Sequence, residues 1–162
     1  MTRAESGADR RSASSPRPGQ PAAGEPAPIP VAECWQLLTS VPFGRIVFTE
    51  QALPAVHPVN FAVADSAVVI RTGPGPKLDA AMRGDVVAFE ADAIDPETRT
   101  GWSVLVIGHA SVVVDIDRLV DVVDVEHRPW VRGAGRHVVQ IAGERVTGRR
   151  LGLETDEVAP TA

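Results

Sequence analysis

The chain has 162 residues, of which 44% are hydrophobic and 23% charged, and carries a formal net charge of −5 at pH 7. This is the composition of one globular domain, and it excludes a collagen-like repeat or a disulfide scaffold. The acidic balance argues against a nucleic-acid binder, because 16 lysines and arginines set against 21 aspartates and glutamates cannot supply a dense basic face.

In chain order, Met1 to about Pro28 consists of Ala, Ser, Pro, Gly, Arg and Glu with no large apolar side chain after Met1. It reads as a disordered spacer. From there Val31, Cys34, Trp35 and Leu38 recur at helical spacing, which predicts a short amphipathic helix stopped by Pro42 and Gly44. β-Branched runs separated by turn residues follow at Arg45–Thr49, Ala55–Val63, Ala67–Thr72, Asp85–Asp92, Trp102–Val114 and His137–Ile141, with a further extended run resuming at Val146. The breaks at Thr49–Leu53, Ala64–Ser66 and Asp95–Glu97 are short enough for hairpins, so an antiparallel sheet is expected. A helix following Pro76 and ending at Gly84 would place Leu78, Ala81 and Met82 on one face, and a second, starting at Asp115 or Asp117, would align Leu119, Val122 and Val123. The expected domain spans residues 29–152, between disordered tails at 1–28 and 153–162. Its class is mainly β with a few short helices, closed into a barrel because closure removes exposed edges.

Cys34 is the only cysteine, so neither an internal disulfide nor a thiolate-rich metal site is possible within the chain. No apolar run approaches the ~18 residues of a membrane span, and no apolar stretch follows the amino-terminal arginines as in a signal peptide. A soluble, cytoplasmic protein with no membrane or nucleic-acid partner is expected. His57, His109, His127 and His137 form no His-x-His or His-Glu-x-x-His pairing, and no metal site is expected.

The stretch "VVIRTGPGPKLDAAMRG" poses the main chemical question. It fails as a P-loop, since Gly73 and Gly75 lie two apart and no Ser or Thr follows Lys77; it also lacks the third glycine of the dinucleotide fingerprint. Pro74 and Pro76 have no N–H to offer a phosphate. Side-chain binding remains, with Arg71 and Thr72 at a strand end and Lys77 in the first turn of a helix. Lys77 is the only lysine beside fifteen arginines, a bias that a requirement for a compact ammonium would explain and that chance would explain equally well. In "LPAVHPVNF", Pro58 marks an edge or bulge beside His57, where ligands are often met, and Asn60 could bond a heteroaromatic ring or cap a turn. No hydrolase constellation appears: Ser103 has no nucleophile elbow, and Cys34 falls on the buried side of its helix.

The order of "GRIVF", "PAVHPVNFAV", "AVVIRTGPGPKL", "VVAFEAD", "GWSVLVIGHASVV" and "HVVQIAGERVTGRRL" after a short helix resembles the pyridoxamine 5′-phosphate oxidase-like family of FMN-binding split barrels, in its short actinobacterial form, over about Pro30 to Leu151. The resemblance implies a homodimeric split β-barrel with FMN at the subunit interface. It places Pro58, Val59 and Asn60 along the isoalloxazine ring and Arg71, Thr72 and Lys77 at the phosphate. Trp102 and Ser103 would arrive from the other subunit, and Trp130 would cover the ring. The implied activity is that of an FMN-dependent oxidoreductase on a small molecule other than pyridoxamine phosphate, because the longer carboxy-terminal substrate-binding portion of the vitamin B6 oxidase is missing. The alternatives are a deazaflavin or haem in place of FMN, a non-catalytic flavin or haem protein for storage or sensing, and a flavin-free interaction module.

Overall fold

The computed structural model describes residues 27–114 and 137–152. The helix read around Leu119, Trp130 and most of both tails lie outside the described residues. The elements run β1 (Ala27–Ile29), α1 (Val31–Leu38), β2 (Phe43–Glu50), β3 (Leu53–Ala64), β4 (Ala67–Thr72), α2 (Pro76–Arg83), β5 (Val86–Asp95), β6 (Thr100–Val113), β7 (His137–Ala142) and β8 (Arg145–Leu151).

All strand pairs are antiparallel. The order β6-β5-β2-β3-β4-β7 closes on itself through a β6–β7 pairing, making a six-stranded barrel. β8 and β1 extend the sheet from β6. This is the antiparallel barrel that strand spacing and turn chemistry predict, in the split form that the family resemblance implies. The separate strand β8 replaces the loose resumption at Val146, and β1 takes in Ala27 and Pro28, which pair with Arg150 and Arg149.

The turns explain the register. Glu50 pairs with Leu53 and Ala64 with Ala67, so the first two hairpins have two-residue loops. Gln51 and Ala52 have φ of 50° and 63°, and Asp65 and Ser66 have 50° and 57°. Such left-handed pairs match strand twist, although Gln-Ala is an unusual sequence for them. At the third hairpin, the Asp95 carboxylate accepts backbone N–H groups from Glu97 at 2.8 Å and Thr98 at 3.3 Å, which holds its pKa below the usual carboxylate value.

Alternation along the strands sends Ile46, Phe89, Val104, Val106, Val139 and Ile141 into a fully buried core. Phe61 and Phe89 pack at its centre with ring centroids 4.6 Å apart. Helix α1 adds Cys34 and Leu38 to the same core. Helix α2 packs on β6. It starts with Pro76 in its first turn and ends on Gly84 in the left-handed region, φ 69°. Its buried residues are Leu78, Ala80 and Ala81, whereas Met82 is 70% exposed. The expected Leu78–Ala81–Met82 face is corrected in this respect: α2 turns its small alanines to the barrel, and the long Met82 side chain is rotated outward.

β6 changes partner on one edge, pairing with β8 over 101–107 and with β7 over 110–113. The change falls at Gly108, where an added Cβ would lie 1.9 Å from the Ala142 carbonyl oxygen. No side chain fits in that gap. Gly108→Ala is expected to lower stability by about 1–3 kcal/mol or more in urea unfolding, the range for overpacked cores; an unchanged midpoint would contradict this crossing geometry.

Candidate functional site

The candidate residues can be placed from register and burial. Among the described residues, β3 pairs over 53–60 with β2 alone, and β4 joins its other edge from Phe61, opposite Ile70. Beyond that pair the strands part. Pro58 therefore lies where β3 has a free edge and its missing N–H breaks no ladder; the β2–β3 register is continuous, so there is no bulge. Pro58 is exposed, Val59 is buried, and the Asn60 amide donates to the Pro42 carbonyl at 3.3 Å.

Asn60 and Arg71 flank the point of parting on the outer face of the barrel, and Val59 and Thr72 face inward. The buried Thr72 hydroxyl donates to the Gly73 carbonyl at 3.2 Å, so its hydrogen is already committed. Lys77 comes from the start of α2 and is half-buried, its Nζ 3.4 Å from His57 Nδ1. His137 sits opposite Thr72 on β7. Six of the eight candidates are thus gathered where β3 and β4 diverge. His57 and His137 join them at the same end of the barrel. The strand-edge position of His57 is legible in the sequence; His137 enters only through strand pairing.

Trp102 and Ser103 are not brought to this cluster. They lie on β6, and β5 and β2 intervene before β3 is reached, three strand spacings or roughly 14 Å. Trp102 is 8% exposed and belongs to the protomer's own core, and Ser103 pairs with Asp92 and Arg149.

Arg45 pairs with Glu90 at 3.0 Å and Asp92 at 3.3 Å, Arg83 with Asp85 at 2.6 Å, and Arg150 with Glu33. Arg71 and Lys77 have no carboxylate partner among the described residues, a state they share with the strand and turn arginines Arg99, Arg145 and Arg149. No side chain caps the start of α2, where the Lys77 and Leu78 amides precede the first helical carbonyls. An ammonium in the uncapped first turn of a helix and a guanidinium at the end of the preceding strand are group types that can bind a phosphate ester.

The remaining candidates have other roles. His109 Nδ1 lies 2.6 Å from Glu144 Oε1, which also accepts the His109 backbone N–H at 3.2 Å and so ties the β7–β8 turn to β6. Cys34 packs into the core, and burial pushes its thiol pKa up. Among the described residues no three His, Cys, Asp or Glu side chains could hold a metal ion, and no helix is long and apolar enough to cross a membrane.

A closed six-stranded antiparallel barrel flanked by a short two-strand extension, with a polar cluster where two of its strands separate, defines a split β-barrel protein. The family model for pyridoxamine 5′-phosphate oxidase matches residues 30–150, and the chain belongs to that family. The uncharacterised protein Rv0080 of Mycobacterium tuberculosis is 47% identical over 124 residues, which cover 74% of this chain and 81% of that protein. The FAD-binding protein from Mycobacterium smegmatis superposes with a TM-score of 0.67 at 39% identity, over 78% of this chain and 98% of its own. The FAD and haem binding protein from the same organism shares the fold at 18% identity, with a TM-score of 0.57 over 73% of this chain and 69% of its own.

The hydrogen bonds from His109, its ring nitrogen first, hold the Glu144 carboxyl below the usual carboxylate pKa. A depressed folded-state value contributes stability above the unfolded-state pKa and loses it as pH falls through the folded one. The stability difference between the wild type and Glu144→Ala should therefore shrink from about pH 6 to about pH 3 in chemical unfolding; a constant difference would contradict the contact.

Proposed function

We propose that the protein is a homodimeric, FMN-dependent oxidoreductase acting on a small molecule. The observation that carries the reading is the pair of Arg71, at the end of β4, and Lys77, in the uncapped first turn of α2, cations with no carboxylate partner among the described residues. A flavin phosphate bears roughly two negative charges near neutral pH and is matched by these two groups. The Thr72 hydroxyl, already donating to Gly73, would contribute by fixing the strand end.

Pro58, Val59 and Asn60 would run beside the isoalloxazine ring. The free edge of β3 over 53–60 leaves their backbone groups open to such a ligand. Bound flavin supplies the redox chemistry, and the protein's part is to hold the phosphate, orient the ring and limit water at it. Trp102 and Ser103 lie three strand spacings away within a protomer, which supports their arriving at the ring from a second subunit. Leu53, Val56 and Val86, all more than half exposed, supply apolar surface for that association. A reduced, cytoplasmic setting goes with the free and buried Cys34.

FAD is the second reading, favoured by the 39% identical M. smegmatis protein that binds it. The phosphate next to the ribityl chain is common to both nucleotides, so the same cations would serve. Chromatography of the cofactor released by denaturation distinguishes them.

Purified protein should show flavin absorption bands on isolation or after adding FMN, and its size by light scattering should be that of a dimer. Lys77→Ala should weaken FMN binding by about 1.5–3 kcal/mol, the range for hydrogen bonds to charged groups. A colourless protein indifferent to added flavin, or an unchanged affinity in Lys77→Ala, would refute the assignment. Reoxidisable reduction by NADPH or a reduced deazaflavin separates turnover from storage or sensing, and a Soret band would point to haem.

A further inference from the structure

Lys77 occupies the second position of α2, where the helix dipole disfavours a cation, and no carboxylate among the described residues reaches it. Its ammonium group has three donors and no acceptor. The recorded partner is His57 Nδ1, 3.4 Å from Nζ in half-buried surroundings. Since the ammonium can only donate, the contact is a hydrogen bond in the ring tautomer that leaves Nδ1 as the acceptor and puts the hydrogen on Nε2.

The imidazole is itself held in place. It meets Phe48 edge-on, with centroids 5.2 Å apart and planes at 78°, and Phe48 is 3% exposed. His57 also pairs with the fully buried Ile46 across the β2–β3 ladder. The Pro58 ring confines the backbone of the residue before it to extended conformations. A rigid acceptor thus stands beneath a flexible four-carbon stem.

We infer that His57 is a positioning residue that aims the Lys77 ammonium at a phosphate ester, a role that rests on the flavin reading above. A carboxylate at this place would neutralise Lys77 and compete with the phosphate. A neutral imidazole takes one of the three donors and leaves the full positive charge for the ligand. Residues 57 and 77 therefore act as one unit on the phosphate and have no separate effect on the ring.

The test is a fluorescence titration of the full-length protein with FMN and with riboflavin, which lacks the phosphate. His57→Phe keeps an aromatic edge against Phe48 and removes the acceptor; His57→Asn restores an acceptor. The Phe variant should bind FMN about three- to tenfold more weakly, with riboflavin changed by less than about twofold, and the Asn variant should recover most of the loss. In a Lys77→Ala background, His57→Phe should cause no further loss. Wild-type FMN affinity in His57→Phe, an equal loss for riboflavin, or additive losses in the double variant would overturn the inference. If Lys77→Ala weakens FMN and His57→Phe does not, the positioning role alone fails; if neither does, the phosphate assignment fails with it.

Discussion

The change of partner along β6 is the constraint on which the rest of the structure depends. One strand edge serves two neighbours, β8 below Gly108 and β7 above it, so a single fourteen-residue strand both closes the barrel and carries the extension. The Ala142 carbonyl crosses where a side chain would stand. Glu144, bonded to the ring and backbone of His109, fastens the turn on the far side. With β6 fixed in this way, β5 pairs with it over ten residues, and the core of Phe61, Phe89, Val104 and Val106 is enclosed.

Closure on one side of the barrel sets the opening on another. β3 is long enough to serve β2 over 53–60 and β4 over 61–64, and the two pairings do not overlap. The gap leaves Pro58, Val59 and Asn60 on a free edge and lets the segment after Thr72 leave the sheet. The Gly-Pro pairs then bring the chain back as α2, whose buried alanines bind it to β6 and whose first turn presents Lys77 beside His57. Packing energy spent on the helix thereby places a cation where local electrostatics alone would not keep it.

Much of this is legible in the sequence where the signal is local. Hairpin connections follow from the short breaks between runs, and the edge position of Pro58 follows from the missing N–H. For the Arg71–Lys77 stretch, the sequence excludes backbone cradles, and the proposed anion-binding role rests on the side chains that remain. What is not legible depends on partners remote in sequence. Met82 fits an apolar helical face, yet which side of α2 meets the barrel is decided by how closely Ala80 and Ala81 let it approach. The contact between His57 and Lys77 spans 20 residues and exists only because α2 folds back over the β2–β3 hairpin. Trp102 reads as a ligand residue by resemblance, whereas within the protomer it lies in the core and away from β3, a placement decided by strand order. Gln51 and Ala52 take left-handed conformations that neither residue type announces.

The central claim is that the parting of β3 and β4 forms the phosphate end of a flavin site. A crystal structure of the protein with FMN tests it most directly. The account predicts the phosphate within hydrogen-bonding distance of Lys77 Nζ, with the isoalloxazine ring along Pro58–Asn60 and Trp102 of a second subunit approaching it. A flavin seated elsewhere, such as the groove between Thr49, Gln51 and Arg83, with Lys77 turned to solvent, would contradict it.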